Sequence, residues 1–189
     1  MIKRKKALAL LRKYIKTENT VKHMLATEAI MKALAKRFKP EKEAVWAMAG
    51  LLHDLDYEVM ADEKEHGGRT VEILKEKGVD LPEAVFQAIK AHCYNLNPNW
   101  KPQSKMDWSL FICDSLTGLI VATALVRPDR KLSSVKVKSV MKKFKDKSFA
   151  KGTRREDIKM CEEKLGIPLR EFVEIGLKAM QGIAKELGL

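Results

Sequence analysis

Apolar residues recur along this chain at helical spacing, and nowhere does the two-residue alternation of a half-buried strand appear. Lys3 to Lys16 sets Leu8, Leu10, Leu11 and Ile15 under a basic exterior, and Thr17-Glu18-Asn19 breaks the run. Asn19 or Thr20 then caps a second helix, striped by Val21, Met24, Leu25, Ala29, Ile30, Leu34 and Ala35, that ends near Phe38-Lys39-Pro40. Pro40-Glu41 opens a third helix, predicted to run to about Tyr57. Between Glu43 and Leu55 its apolar side chains cover nearly the whole circumference, which marks a central helix. A fourth helix contains His66-Gly67-Gly68-Arg69 and stops at Gly78. A fifth opens at Leu81-Pro82-Glu83 and has His92 at its end. Behind a Ser104 cap, a long apolar helix runs from Met106 to about Val126, where Arg127-Pro128 forbids continuation. A segment from Lys131 to Arg155 shows no clear period, and helices follow at about Arg155 to Leu165 and Pro168 to Leu187. The fold class predicted is all-α.

At 189 residues the chain suits one domain with a sizeable core. Its 46% apolar and 33% charged content excludes a disordered chain. The longest uncharged apolar runs, Ala44 to Leu52 and Gly118 to Val126, fall short of the ~20 residues that span a bilayer, so no membrane segment is expected. Basic Met1 to Lys6 is followed only by Ala7 to Leu11 before Arg12-Lys13 and does not read as a signal peptide. The three cysteines, Cys93, Cys113 and Cys161, form no paired framework, so the expected location is the cytoplasm. Net charge is +12, and most of it is local: from Arg127 to Arg155 twelve Lys/Arg face only Asp129 and Asp146.

Candidate chemistry centres on Gly50-Leu51-Leu52-His53-Asp54-Leu55-Asp56. A buried carboxylate costs several kcal/mol unless it is hydrogen-bonded, paired or coordinated. Adjacent helix positions diverge by roughly 100°, so His53 and Asp54 can both reach one ion placed between them. The four histidines of the chain, His23, His53, His66 and His92, each fall in a different predicted helix. Taken singly, a helix histidine is more often structural; with Asp54 and Asp114 the set offers six potential ligands. Imidazole with carboxylate suits Mn, Fe, Co, Ni or Zn better than calcium, and the carboxylates also admit Mg.

The order His, His-Asp, His, His and a distal Asp resembles the HD-domain superfamily of metal-dependent phosphohydrolases, over about Asn19 to Val126. The resemblance implies a helical bundle as residues 1–130, with 131–189 adding a basic segment and C-terminal helices packed on the same domain. It implies that His23, His53, Asp54 and Asp114 hold one divalent ion. In dinuclear members two intervening histidines hold a second, here His66 and His92, with Asp54 bridging and acting as the catalytic carboxylate. One branch of the superfamily reads His-Asp-Ile-Gly-Lys, whereas this chain has His53-Asp54-Leu55-Asp56-Tyr57, which points away from the branch that uses that lysine. Cys93 follows His92 where another histidine would extend the ligand set. The tail, through Ala124 to Pro128 and Lys142 to Phe149, is similar to a set of predicted HD hydrolases without an assigned substrate.

The expected substrate is a nucleotide or similar small phosphorylated metabolite. Arg69, three residues after His66, would share its helix face and reach a phosphate, or form a surface ion pair. Asp56 and Glu58 are either proton donors or, the favoured reading, solvated helix-end carboxylates. Thr117 either supports Asp114 or bonds its own backbone, and Cys93 and Cys113 read as core filling. The basic segment reads first as a phosphate-gathering rim carrying Lys138, Lys145 and Lys147, and second as a nucleic-acid contact. Two rival functions share these features: a di-iron oxygenase of the same fold, and a non-catalytic nucleic-acid-binding protein with a structural metal.

Overall fold

The computed structural model describes residues 1–189 and contains ten α-helices and no strand. They are α1 (Arg4–Tyr14), α2 (Glu18–Phe38), α3 (Glu43–Leu52), α4 (Gly68–Glu76), α5 (Glu83–Ala91), α6 (Lys105–Leu125), α7 (Val137–Lys145), α8 (Arg155–Met160), α9 (Leu169–Gln181) and α10 (Ala184–Leu187). One hydrophobic core runs from Ala7 in α1 to Leu187 in α10.

The two long helices, α2 and α6, organise the packing. Helix α6 starts at a reciprocal cap: Asp107 N–H donates to Ser104 Oγ, and Ser104 N–H donates to the Asp107 carboxylate. Its apolar residues point in all directions because α2, α3, α5, α7, α8 and α9 surround it. By length and composition α6 is apolar enough to cross a bilayer, contrary to the estimate from uninterrupted runs. Most of it is covered by those neighbours, as befits a core helix. Helix α2 packs on α3 so closely that a Cβ at Gly50 would stand 2.8 Å from Thr27 O and 2.9 Å from Glu28 N, and only glycine fits there. The C-terminal helix α9 closes the bundle over α2 and α6, with Gly176 against Leu116.

Two of the predicted boundaries move at the site itself. Helix α3 ends at Leu52 and residues 53–59 form successive turns, so His53 and Asp54 follow the helix instead of lying inside it. The reason is competition for backbone groups: Asp56 N–H donates to Thr70 Oγ1 at 3.0 Å, not to the carbonyl a turn earlier. Likewise α4 begins at Gly68, leaving His66 outside it. The Asp56 carboxylate accepts from the N–H groups of Gly67 (2.8 Å) and Thr70 (3.0 Å), and so caps α4 from a distant part of the chain. Gly67 takes a φ of +76°, a conformation that suits glycine. The last predicted helix divides at Gly182-Ile183 into α9 and α10.

The segment without a clear period folds as α7 and a loop. Val135, Val140 and Phe144 turn inward, and the loop is stapled by Arg155. Its guanidinium donates to the carbonyls of Phe144 (2.9 Å), Asp146 (2.9 Å) and Phe149, and more weakly to those of Lys143, Ala150 and Thr153 (3.4 Å each). It thus satisfies the end of α7 and fixes residues 146–153 beside α6.

Candidate metal centre

All four imidazoles are held by Nδ1 and present Nε2 to one point. His53 and His92, each just past a helix end, hydrogen-bond through Nδ1 to carbonyls three residues back, Gly50 O (2.9 Å) and Ile89 O. His23 on α2 donates from Nδ1 to Thr117 Oγ1 (2.9 Å), whose own hydroxyl donates to Asp114 O (2.7 Å). His66 donates to Asp56 Oδ1 (2.8 Å). Each acceptor assigns a proton to Nδ1 and makes Nε2 the atom turned toward the cluster, where a metal would replace any proton it carries.

Those Nε2 atoms face one another and two carboxylates. His23 Nε2 lies 3.1 Å from His53 Nε2, and His66 Nε2 lies 3.3 Å from His92 Nε2. Asp54 stands between the pairs: Oδ1 is 3.2–3.3 Å from Nε2 of His53, His66 and His92, and Oδ2 is 3.4 Å from His23. Asp114 Oδ1 is 3.0 Å from His23 and 3.7 Å from His53. Imidazole nitrogens and carboxylates this close are held together by positive charge, carried either by protons on Nε2 or by a bound metal ion. Ligands about 2.0–2.2 Å from a divalent ion stand about 2.9–3.5 Å apart, which is the spacing found here. The side chains therefore fit a metal, in two overlapping groups: His23, His53, Asp54 and Asp114, and His66, His92 and Asp54.

Electrostatics agree. Burial alone would keep these imidazoles neutral, but the hydrogen bonds that His23 donates to Asp114 and Asp54 overcome it and push His23 up to about 10. At His92 burial is likewise outweighed, by the Cys93 charge and the Asp54 bond, to about 10. Burial opposes charge on Asp54 too, yet the histidines hold it well below the usual carboxylate range, and Asp114 likewise. Imidazoles and carboxylates coupled in this way favour positive charge at their centre, which a proton or a metal ion can supply.

Asp56 is completely buried and orients His66 while capping α4, so it is not the solvated carboxylate expected. Glu58 accepts from the N–H groups of Lys16 and Thr17 at the α1–α2 junction and plays no part in the cluster. Thr117 bonds its own helix at Asp114 O and accepts from His23 Nδ1, so the ligand it supports is His23 and not, as expected, Asp114. Cys93 is buried with Sγ 3.3 Å from His92 Nε2 and 3.7 Å from His92 Nδ1, and it groups with His66 and His92 as a third side chain able to hold a metal, so it is more than core filling.

The cations expected at the substrate are elsewhere. Arg69 does not share a helix face with His66; it pairs with Glu72 (2.9 Å) and Glu76 (3.1 Å) and lines a separate cleft. Lys138, Lys145 and Lys147 are exposed and line none of the clefts that open on the cluster, because α7 turns its apolar face inward with Lys138 and Lys145 to solvent, and Lys147 lies in the exposed turn after it. Arg154, which sequence reasoning passed over, donates from Nη2 to Asp114 Oδ2 (3.0 Å) and from Nε to Asp157 (2.6 Å). Forty residues separate it from Asp114, and no local pattern announced it. A larger cleft of about 560 Å³, with Asn19, Tyr57, Met60, Asn95 and Leu96 on its walls, and a smaller one of about 350 Å³ meet at His23, Asp114 and Arg154.

No curated protein and no solved structure matches the chain. The HD-domain family model matches residues 20–119, which span α2 through most of α6 and include every histidine and both aspartates of the cluster. The chain belongs to the HD-domain family, whose members are in general metal-dependent phosphohydrolases.

Proposed function

We propose that the protein hydrolyses a phosphate ester or anhydride of a nucleotide or similar small phosphorylated metabolite, using divalent ions held by His23, His53, Asp54, His66, His92 and Asp114. The observation that carries this reading is the convergence of four imidazole Nε2 atoms on the two oxygens of Asp54. Divalent ions held there lower the pKa of a water toward neutrality and polarise a phosphoryl oxygen. The protein's own part is to keep the ligands in position. Backbone carbonyls, Thr117 and Asp56 lock the four ring orientations, so little reorganisation is needed when the site is loaded.

The larger cleft suits a small organic phosphate. Its volume, about 560 Å³, falls within the range of small-molecule sites. Tyr57 and Leu96 present exposed apolar surface at its mouth, and Asn19 and Asn95 supply amides. Asp56 and Glu58 are committed to hydrogen bonds, so Glu63 on the cleft wall is the carboxyl group outside the cluster that is placed to serve a leaving group. The test is a panel of phosphomonoesters, phosphodiesters and nucleoside phosphates assayed with Mn, Co, Ni, Zn or Mg. Metal-dependent release of phosphate or a nucleoside monophosphate is expected. No turnover of any phosphate compound with any ion, in protein shown to carry metal, would contradict the reading.

A further inference from the structure

Resting on that hydrolase reading, we propose that Arg154 grips the phosphoryl group of the substrate, so that the segment beyond the HD-matched residues completes the active site. Arg154 lies outside residues 20–119, yet its guanidinium is one carboxylate away from the cluster: Asp114 Oδ2 accepts from its Nη2 at 3.0 Å while Asp114 Oδ1 lies 3.0 Å from His23. Two bonds, to Asp114 and Asp157, fix the plane of the group, and Nη1 makes no hydrogen bond within the protein. A guanidinium so oriented offers a fork of donors that fits phosphate oxygens.

Its placement is built, not incidental. Arg155 ties the preceding loop through the carbonyls of residues 143–153, which holds Arg154 at the seam between the two clefts. No other lysine or arginine lines the larger cleft. Arg69 lines a separate cleft with Glu72, and Lys138, Lys142 and Lys145 of α7 are exposed. The strongly basic stretch thus contributes one cation bonded to the cluster, Arg154, and a second, Lys151, on the wall of the smaller cleft, while Lys138, Lys145 and Lys147 act at long range. A phosphate at the seam lies against both the cluster and Arg154, which leaves the larger cleft for the organic part of the substrate.

The test is calorimetric titration of inorganic phosphate into manganese-loaded protein, comparing wild type with Arg154→Gln and Arg154→Lys, with manganese content measured in each. Arg154→Gln is expected to weaken phosphate binding about 10- to 100-fold, the loss of a charged donor, with manganese content unchanged. Arg154→Lys should recover part of the affinity, because it keeps the charge and loses the fork. With a competent substrate the same order is expected in KM. Equal phosphate affinity in all three proteins overturns the role of Arg154 and leaves the hydrolase reading standing. Loss of manganese in Arg154→Gln, with unchanged phosphate affinity per loaded site, overturns it in favour of a residue that only positions Asp114. Wild-type protein that binds neither phosphate nor any phosphorylated substrate overturns the hydrolase reading, and this inference with it.

Discussion

His66 shows how one residue inherits its role from another. Its ring has no helix to hold it, and its orientation comes from Asp56, which also caps α4 through Gly67 and Thr70. Replacing Asp56 by Asn keeps the shape and removes the charge. Asp56→Asn is expected to weaken metal binding about 10- to 100-fold, the range for partners of metal-ligating histidines, as read by competition with a chromophoric chelator. It should also lower stability by about 1–3 kcal/mol in denaturant unfolding, because buried donors lose a charged acceptor. The same residue scale sets the pH response. In the metal-free cluster His23 is raised from 6.5 to about 10 and is therefore protonated at neutral pH, while a metal needs its Nε2 free. Loading must then release protons, and affinity must rise with pH toward that value. Calorimetry in two buffers of different ionisation enthalpy should show buffer-dependent heats; identical heats would refute the protonation assigned to the cluster.

At the scale of elements, the site depends on how closely α2 and α3 approach. Gly50 sits where a side chain would strike the backbone of Thr27 and Glu28, four and five residues beyond His23 on the same helix. Gly50→Ala is expected to cost about 1–3 kcal/mol in unfolding experiments, the range for overpacking, and to loosen metal binding by moving α2 and His23 away from His53. Unchanged stability would show that the contact yields without strain. Much of this scale was legible in the sequence. His53 and Asp54 stood out as polar groups among apolar helical positions, and the order of His, His-Asp, His, His and Asp, from His23 to Asp114, carried the resemblance to the family that the match over residues 20–119 bears out. The end of α3, the start of α4 and the inward turn of Asp56 were not legible. Each rests on hydrogen bonds to partners 11 to 14 residues away, and a carboxylate bound for a buried partner looks in sequence like one bound for solvent.

Over the whole molecule, the cluster joins α2 and α6 to the turns that follow α3 and α5 and to the loop before α4. A cation shared by these side chains thus ties the bundle together, and the basic segment adds a wall whose one directed group, Arg154, comes from far along the chain. That distance is why composition alone misplaced the substrate contacts: the density of charge between Arg127 and Arg155 said nothing about which side chain turns toward Asp114. The central claim is that Asp54, between two histidine pairs, makes this a metal site. The most direct measurement is elemental analysis of wild type and Asp54→Ala, each incubated with a divalent transition metal and freed of unbound ions. Wild type should retain one or two ions per chain and Asp54→Ala essentially none, both remaining helical by circular dichroism. Equal metal in the two proteins, or none in the wild type, would contradict it.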